Sequence, residues 1–292
     1  MPEEIKDLIE EAKGGRVGRR EFISQVAKLL GSVVLAGLLF DTAIGRKAEA
    51  IVVPADDPDL ESGWADTPAK EYTSYFYRSK PKGSGPFPGV LVISANRGVE
   101  EHIQDVTRRF AKEGYFAAAP DTISRFGGIQ QLGKEAARGM VSGMRKDIVL
   151  DVVRTTFDHL RRSKEVKADR IGIVGFCWGG GISLLSATKF PELAACVVFY
   201  GRNPNPLSQV YDIKAPVLGL YGGLDKRITS KVPELKAAMD KYKKSYEYHI
   251  YKGAKHAFYQ ETRPDRYHPE AAKDAWTKAL AFFSKHLKGG AA

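Results

Sequence analysis

The sequence predicts an α/β fold with a mostly parallel central sheet and helices on both faces. Two observations carry that expectation. From Glu71 onward, short apolar runs alternate with helical segments of roughly 10 to 15 residues, the pattern of βαβ units. Several runs, above all V-L-V-I-S at 90–94, are apolar without alternation, as in strands covered on both faces. In chain order, E-Y-T-S-Y-F-Y-R (71–78) is an aromatic strand of period two, closed by the turn P-K-G-S-G-P-F-P. After 90–94, residues 102–113 repeat Ile103, Val106 and Phe110 at helical spacing, with Arg and Lys on the other side. Y-F-A-A-A-P-D (115–121) is the next strand, ended by Pro120, and Ser124 to Gly143 reads as irregular and glycine-bearing. A helix over 147–162 turns Ile148, Val152, Phe157 and Leu160 inward. Strand 170–175, helix 179–189, strands 194–200 and 216–222, helix 231–243, strand 246–251 and a helix over 270–287 complete the chain. In an open sheet of this kind, ligands gather beyond the carboxyl ends of the strands.

The 292 residues can bury a full core, and 43% hydrophobic with 27% charged residues is ordinary for a soluble globular protein. The net charge of +10 comes from dispersed cations, with no basic block and no zinc-ligand or RNA-binding signature. Nucleic acid is therefore not expected as a partner, whereas an anionic small molecule suits such a surface. Two cysteines, Cys177 and Cys196, do not make a disulfide framework.

Residues 1–50 differ from the rest. Arg19-Arg20 precede Phe22-Ile23, and a moderately apolar stretch from Val26 to Phe40 is interrupted by Lys28. Ala48-Glu49-Ala50 then offers a small-x-small cleavage pattern. The segment resembles a twin-arginine export signal, an address that a receptor reads on proteins exported already folded. It implies the twin-arginine export machinery as a partner and a periplasmic or other extracytoplasmic location; without a working signal the protein is cytoplasmic. The alternative is an amphipathic helix packed on the domain. Residues 51–70 are expected to link this segment to a domain spanning 71–292.

The chemistry concentrates in R-I-G-I-V-G-F-C-W-G-G-G at 170–181. Cys177 follows an apolar strand and precedes a helix, with Gly175 and Gly179 two positions to either side. That is the G-x-Nuc-x-G pattern of a nucleophile elbow, whose sharp turn brings two backbones too close for side chains at the flanking positions. A thiol there also feels the positive end of the helix dipole, which favours the thiolate. A second reading is a cysteine that merely packs, as Cys196 does inside A-A-C-V-V-F-Y. The strand A-P-V-L-G-L-Y-G-G runs into Leu224-Asp225, and Y-E-Y-H-I-Y leads through a short loop to His256. Nucleophile, acid and base thus occur in the order Cys177, Asp225, His256, each past a strand end. That is the chain order of an α/β-hydrolase triad. His256 takes the thiol proton or holds it as an ion pair, and Asp225 orients the ring.

With these residues in place the sequence resembles the dienelactone hydrolase (carboxymethylenebutenolidase) family, from about Glu71 to Leu287. The matching stretches are N-R-G (96–98), E-G-Y-F-A-A-A-P-D (113–121), G-F-C-W-G-G-G (175–181), V-F-Y-G-R (198–202), Y-G-G-L-D (221–225) and K-H-A-F (255–258). The resemblance implies an α/β-hydrolase fold and hydrolysis of an enol-lactone or related ester through a thioester acyl-enzyme, without metal or organic cofactor. It also implies an oxyanion hole from the backbone N–H groups of Asn96 and Trp178. Substrate-carboxylate binding is expected from Arg125, with Arg263 or Arg266 as a second arginine. One departure stands out. Where the family often carries a glutamate that helps set the protonation of the thiol, this chain has Ser94-Ala95, and Glu100 and Glu101 are the nearest substitutes.

Two other function classes were weighed. A non-catalytic α/β-hydrolase fold that binds a small ligand or a protein is supported only by the lost glutamate. A nicotinamide-dependent oxidoreductase is excluded, since no G-x-G-x-x-G opens a βαβ unit with an acid about 20 residues later.

Overall fold

The apolar runs become strands of one eight-stranded sheet in the computed structural model of the chain, which describes residues 2–14, 16–43 and 52–289. Three helices come first: α1 (Glu3–Lys13), α2 (Arg19–Leu30) and α3 (Val33–Ala43). Then follow β1 (Leu60–Pro68), β2 (Thr73–Pro81), β3 (Phe87–Ile93), α4 (Glu101–Lys112), β4 (Phe116–Pro120), α5 (Gly128–Val141), α6 (Lys146–Arg162) and β5 (Val166–Phe176). The chain ends with α7 (Trp178–Ala187), β6 (Ala195–Phe199), β7 (Val217–Gly222), α8 (Lys226–Thr229), α9 (Val232–Lys241), β8 (Tyr246–Tyr251) and α10 (Pro269–Phe283). The spatial order is β1-β2-β4-β3-β5-β6-β7-β8. β1/β2 and β2/β4 are antiparallel, and every later pair is parallel.

The order matters for the site. From β3 the chain steps outward to β4, then crosses back to lay β5 on the other flank of β3. Loops leaving β3 and β5 therefore diverge and open a crevice at their carboxyl ends, the switch point at which open sheets bind ligands. Two apolar layers hold the sheet. One joins α4 and α10 through Phe110, Trp276 and Phe283, with the Phe110 and Trp276 rings 4.6 Å apart. The other joins α6, α7 and α9 through Phe157, Leu184 and Leu235. Each such fully buried side chain contributes about 1.5–3 kcal/mol of transfer free energy.

Two expectations need correction. Residues 60–68 are not linker but strand β1, paired along its length with β2. L-E-S-G-W-A-D-T-P hides this because an edge strand that is only partly covered needs no apolar alternation and tolerates glycine and proline. Residues 128–141, read as irregular, form α5, kinked where Gly133 takes φ 80°. On α4, the side opposite Ile103, Val106 and Phe110 is also covered: Arg108 and Arg109 are wholly buried.

The N-terminal helices pack on one another through Ile5, Leu8, Phe22, Val26 and Phe40. They touch the sheet domain where Leu35 enters the α4/α10 layer and Ser32 Oγ donates to Glu113, 2.5 Å. No helix among the described residues is long and apolar enough to cross a membrane. The cleavage pattern at Ala48–Ala50 lies outside the described residues.

Candidate active site

The elbow is built by close approach. β5 ends at Phe176 and α7 begins at Trp178, so Cys177 alone makes the turn, at φ 58° and ψ −115°. A non-glycine residue there costs about 1–3 kcal/mol and persists only where the surroundings force it. The Cys177 N–H donates to Phe199 O at 3.0 Å, pinning the turn to β6. A Cβ on Gly175 would lie 2.1 Å from Gly179 O, and one on Gly179 2.2 Å from Ser94 O. Neither position can carry a side chain.

The structure brings the three expected residues together. His256 Nε2 lies 2.9 Å from Cys177 Sγ, and His256 Nδ1 lies 2.5 Å from Asp225 Oδ2. Asp225 caps α8 just past β7, with its N–H donating to Gly222 O at 3.0 Å. A carboxylate can only accept, so Nδ1 carries a proton and donates, which leaves Nε2 to accept from the thiol. Tyr200, at the end of β6, packs edge-on against the His256 ring at 5.1 Å.

Burial favours the neutral form of both Cys177 and His256. Burial pushes the Cys177 thiol up from its ordinary 9.0, against the Trp178 N–H, Arg227 and Arg202, which favour the thiolate. Burial likewise lowers His256 from 6.5, against the hydrogen bond that its ring donates to Asp225. At Cys177 desolvation thus outweighs the Trp178 N–H and the two arginines that favour a thiolate. Cys177 is only partly exposed, and the thiol meets a base able to take its proton.

A cavity of about 360 Å³ opens over this pair, with Asn96, Trp178, Tyr200 and Arg202 among the residues that line it. Its location is the crevice between the β3 and β5 loops. The expected carboxylate-binding arginines are elsewhere, and this expectation is corrected. Arg125 sits 3.0 Å from Asp151 and 3.6 Å from Glu71, over the Tyr72 ring. Arg263 and Arg266 both face Asp265, at 3.8 and 3.4 Å. Arg266 is still near enough to His256 to oppose its protonation. The cations that do line the cavity are Lys146, Arg202 and Arg227. Sequence reasoning missed them, although Arg202 lies past a strand end and Arg227 two residues after Asp225. Neither substitute for the missing glutamate reaches the thiol. Glu101 is bound to Arg108 at 2.6 Å, and Glu100 faces Gln260 at 3.5 Å. No cluster of His, Cys, Asp and Glu suited to a metal ion occurs among the described residues.

A parallel sheet with an elbow nucleophile, and an acid and a histidine contributed later from the same rim, defines an α/β hydrolase. Residues 75–287 match the dienelactone hydrolase family. The "Putative carboxymethylenebutenolidase" of Methylorubrum extorquens is 34% identical over 259 residues, covering 85% of this chain and 89% of that protein. The protein of the same name from Escherichia coli K12 is 34% identical over 263 residues, covering 85% and 95%. The crystal structure titled "Putative Dienelactone Hydrolase" from Klebsiella pneumoniae superposes with a TM-score of 0.71 at 34% identity, covering 77% of this chain and 99% of that one. The chain belongs to the dienelactone hydrolase family and is a hydrolase of that family.

Proposed function

We propose that the protein hydrolyses a lactone or carboxylic ester through a thioester on Cys177. The observation that carries this reading is the continuous contact Sγ–Nε2, Nδ1–Oδ2 at 2.9 and 2.5 Å. As the thiol attacks, its proton passes to His256 Nε2 and sulfur bonds to the substrate carbonyl carbon. The displaced π pair becomes an oxyanion, which in this reading accepts hydrogen bonds from the N–H groups of Trp178 and Asn96, two residues that line the cavity. Collapse breaks the C–O bond, and the departing oxygen takes the proton from Nε2; in a lactone it stays attached as the product's hydroxyl. His256 then deprotonates a water that attacks the thioester, and the thiolate leaves and regains its proton. Asp225 holds the ring and stabilises the transient imidazolium. Burial favours the neutral thiol and imidazole before attack, so the proton transfer accompanies attack on the substrate in this reading.

The test is hydrolysis of chromogenic short-chain esters and a panel of lactones by wild type, by Cys177→Ala and after iodoacetamide. Turnover that survives both changes removes the cysteine mechanism. Absence of turnover on every ester and lactone, with no alkylation of Cys177, favours a ligand-binding role.

We further propose that residues 1–50 act as a twin-arginine-type export address, supported by Arg19-Arg20 at the start of α2 and the apolar stretch after it. Fractionation of cells expressing wild type and an Arg19→Lys/Arg20→Lys variant tests this. Equal cytoplasmic retention of both assigns the helices to packing on the domain instead.

A further inference from the structure

We propose that Arg109 and Glu261, held by Asp105 and by the backbone of residues 52–53, are positioning residues for the loop that carries His256. The proposal rests on the triad reading above. Arg109 and Asp105 have no exposure, and Glu261 only 5%. Arg109 Nη1 donates to Glu261 Oε1 at 2.7 Å, and Arg109 Nε and Nη2 donate to Asp105 Oδ2 at 3.1 and 2.5 Å. Burying three ionised groups costs several kcal/mol each before pairing, and apolar replacements of similar volume are often as stable. Stability alone is therefore a weak reason for this cluster. What it does is fix geometry.

Glu261 is five residues beyond His256, in the loop between β8 and α10. Ala257, directly after His256, is held at φ 64°, a left-handed conformation that a non-glycine residue keeps only under constraint. Arg109 grips this loop twice, since Nη1 also donates to Tyr259 OH at 3.3 Å. The Tyr259 ring in turn stacks on Phe176, the residue before Cys177, at 5.5 Å and 22°. One guanidinium thus ties the segment bearing the base to the layer beneath the nucleophile.

The other end of the chain completes the cluster. Two carboxylates around one guanidinium leave an excess negative charge, and the Val52 and Val53 N–H groups answer it. They donate to Asp105 Oδ2 at 3.1 Å and Oδ1 at 2.8 Å. Arg108 Nε donates back to Val53 O at 2.7 Å, fastening the same arm. His102 Nδ1 stands 3.6 Å from Glu261 Oε2 on the remaining side. Residues 52–53 follow the expected cleavage pattern, so they stay with the domain whether or not residues 1–50 are removed.

The experiment uses the full chain carrying Glu261→Gln, Asp105→Asn or Arg109→Lys, with Glu270→Gln at the exposed start of α10 as the control. Three quantities are measured: the iodoacetamide alkylation rate of Cys177 against pH, kcat and KM on an aryl ester, and the thermal midpoint. His256→Ala supplies the reference for an uncoupled thiol. Glu261→Gln and Asp105→Asn are expected to lower kcat by roughly tenfold or more, at a KM within about twofold of wild type, as loss of alignment does. Their alkylation profiles should move toward that of His256→Ala, Arg109→Lys should fall between, and Glu270→Gln should match wild type. A lowered thermal midpoint with wild-type alkylation and kcat in both isosteric variants overturns the proposal and makes the cluster purely structural. If His256→Ala itself leaves the wild-type alkylation profile unchanged, the triad reading fails first and this inference with it.

Discussion

The end of β5 and the middle of β6 each present a cysteine in an apolar run, two strands that pair side by side. Cys196 is opposite Ile173 in that ladder, wholly buried, and burial alone drives its thiol far above the ordinary value. Cys177 has the same chemistry in another place. It lies one residue beyond the last paired residue, at positive φ, and a histidine nitrogen stands 2.9 Å from its sulfur. Reactivity here is a property of where the strand stops. Inside the ladder sulfur is a small apolar filler; past its end the same atom meets a base and a cavity.

The sharpest way to break this comparison is Cys177→Ala, which should lower kcat/KM by at least ~10³-fold in a steady-state ester assay. Residual activity near wild type would leave the two thiols equivalent. Asp225→Asn, which keeps shape but loses the charge that fixes the His256 tautomer, should cost ~10²–10⁴-fold in kcat, read in the same assay. The pH profile of kcat/KM comes next. Because burial depresses His256, the acid limb should fall below its ordinary 6.5: the ring stays neutral and basic to lower pH and loses activity only as it protonates. An acid limb above 6.5 would contradict a desolvated histidine. Arg202→Ala with Arg227→Ala should raise the alkaline limb of Cys177 alkylation by a few tenths of a pH unit, since both cations favour the thiolate. The smallest functional effect belongs to Cys196→Ala. Its kcat should stay within about twofold of wild type while the thermal midpoint falls with roughly 1 kcal/mol of lost packing.

The convergence of Cys177, Asp225 and His256 was legible because each follows an apolar strand, and in a parallel sheet strand ends share one rim. Strands such as 90–94 and 216–222 were legible for the same reason, being buried on both faces. Contacts that depend on loop reach were not legible. Arg125 was expected at the substrate and instead pairs with Asp151, because the course of the loop after β4 cannot be read from the residues that form it. Arg108 and Arg109 were read only as lying on the side of α4 opposite Ile103, Val106 and Phe110, and periodicity alone does not show that this side is buried. Only the arm at 52–53 and the loop at 259–261, distant in sequence, cover that face. β1 escaped because pairing on one edge only asks little of side chains.

The burial that favours the protonated form of Cys177 also bears on how the protein ages in air. Peroxide attacks the thiolate, and a sulfur whose ionisation is suppressed by its surroundings presents little of it at neutral pH. Oxidative damage should therefore accumulate slowly in the resting protein and accelerate as the medium turns alkaline.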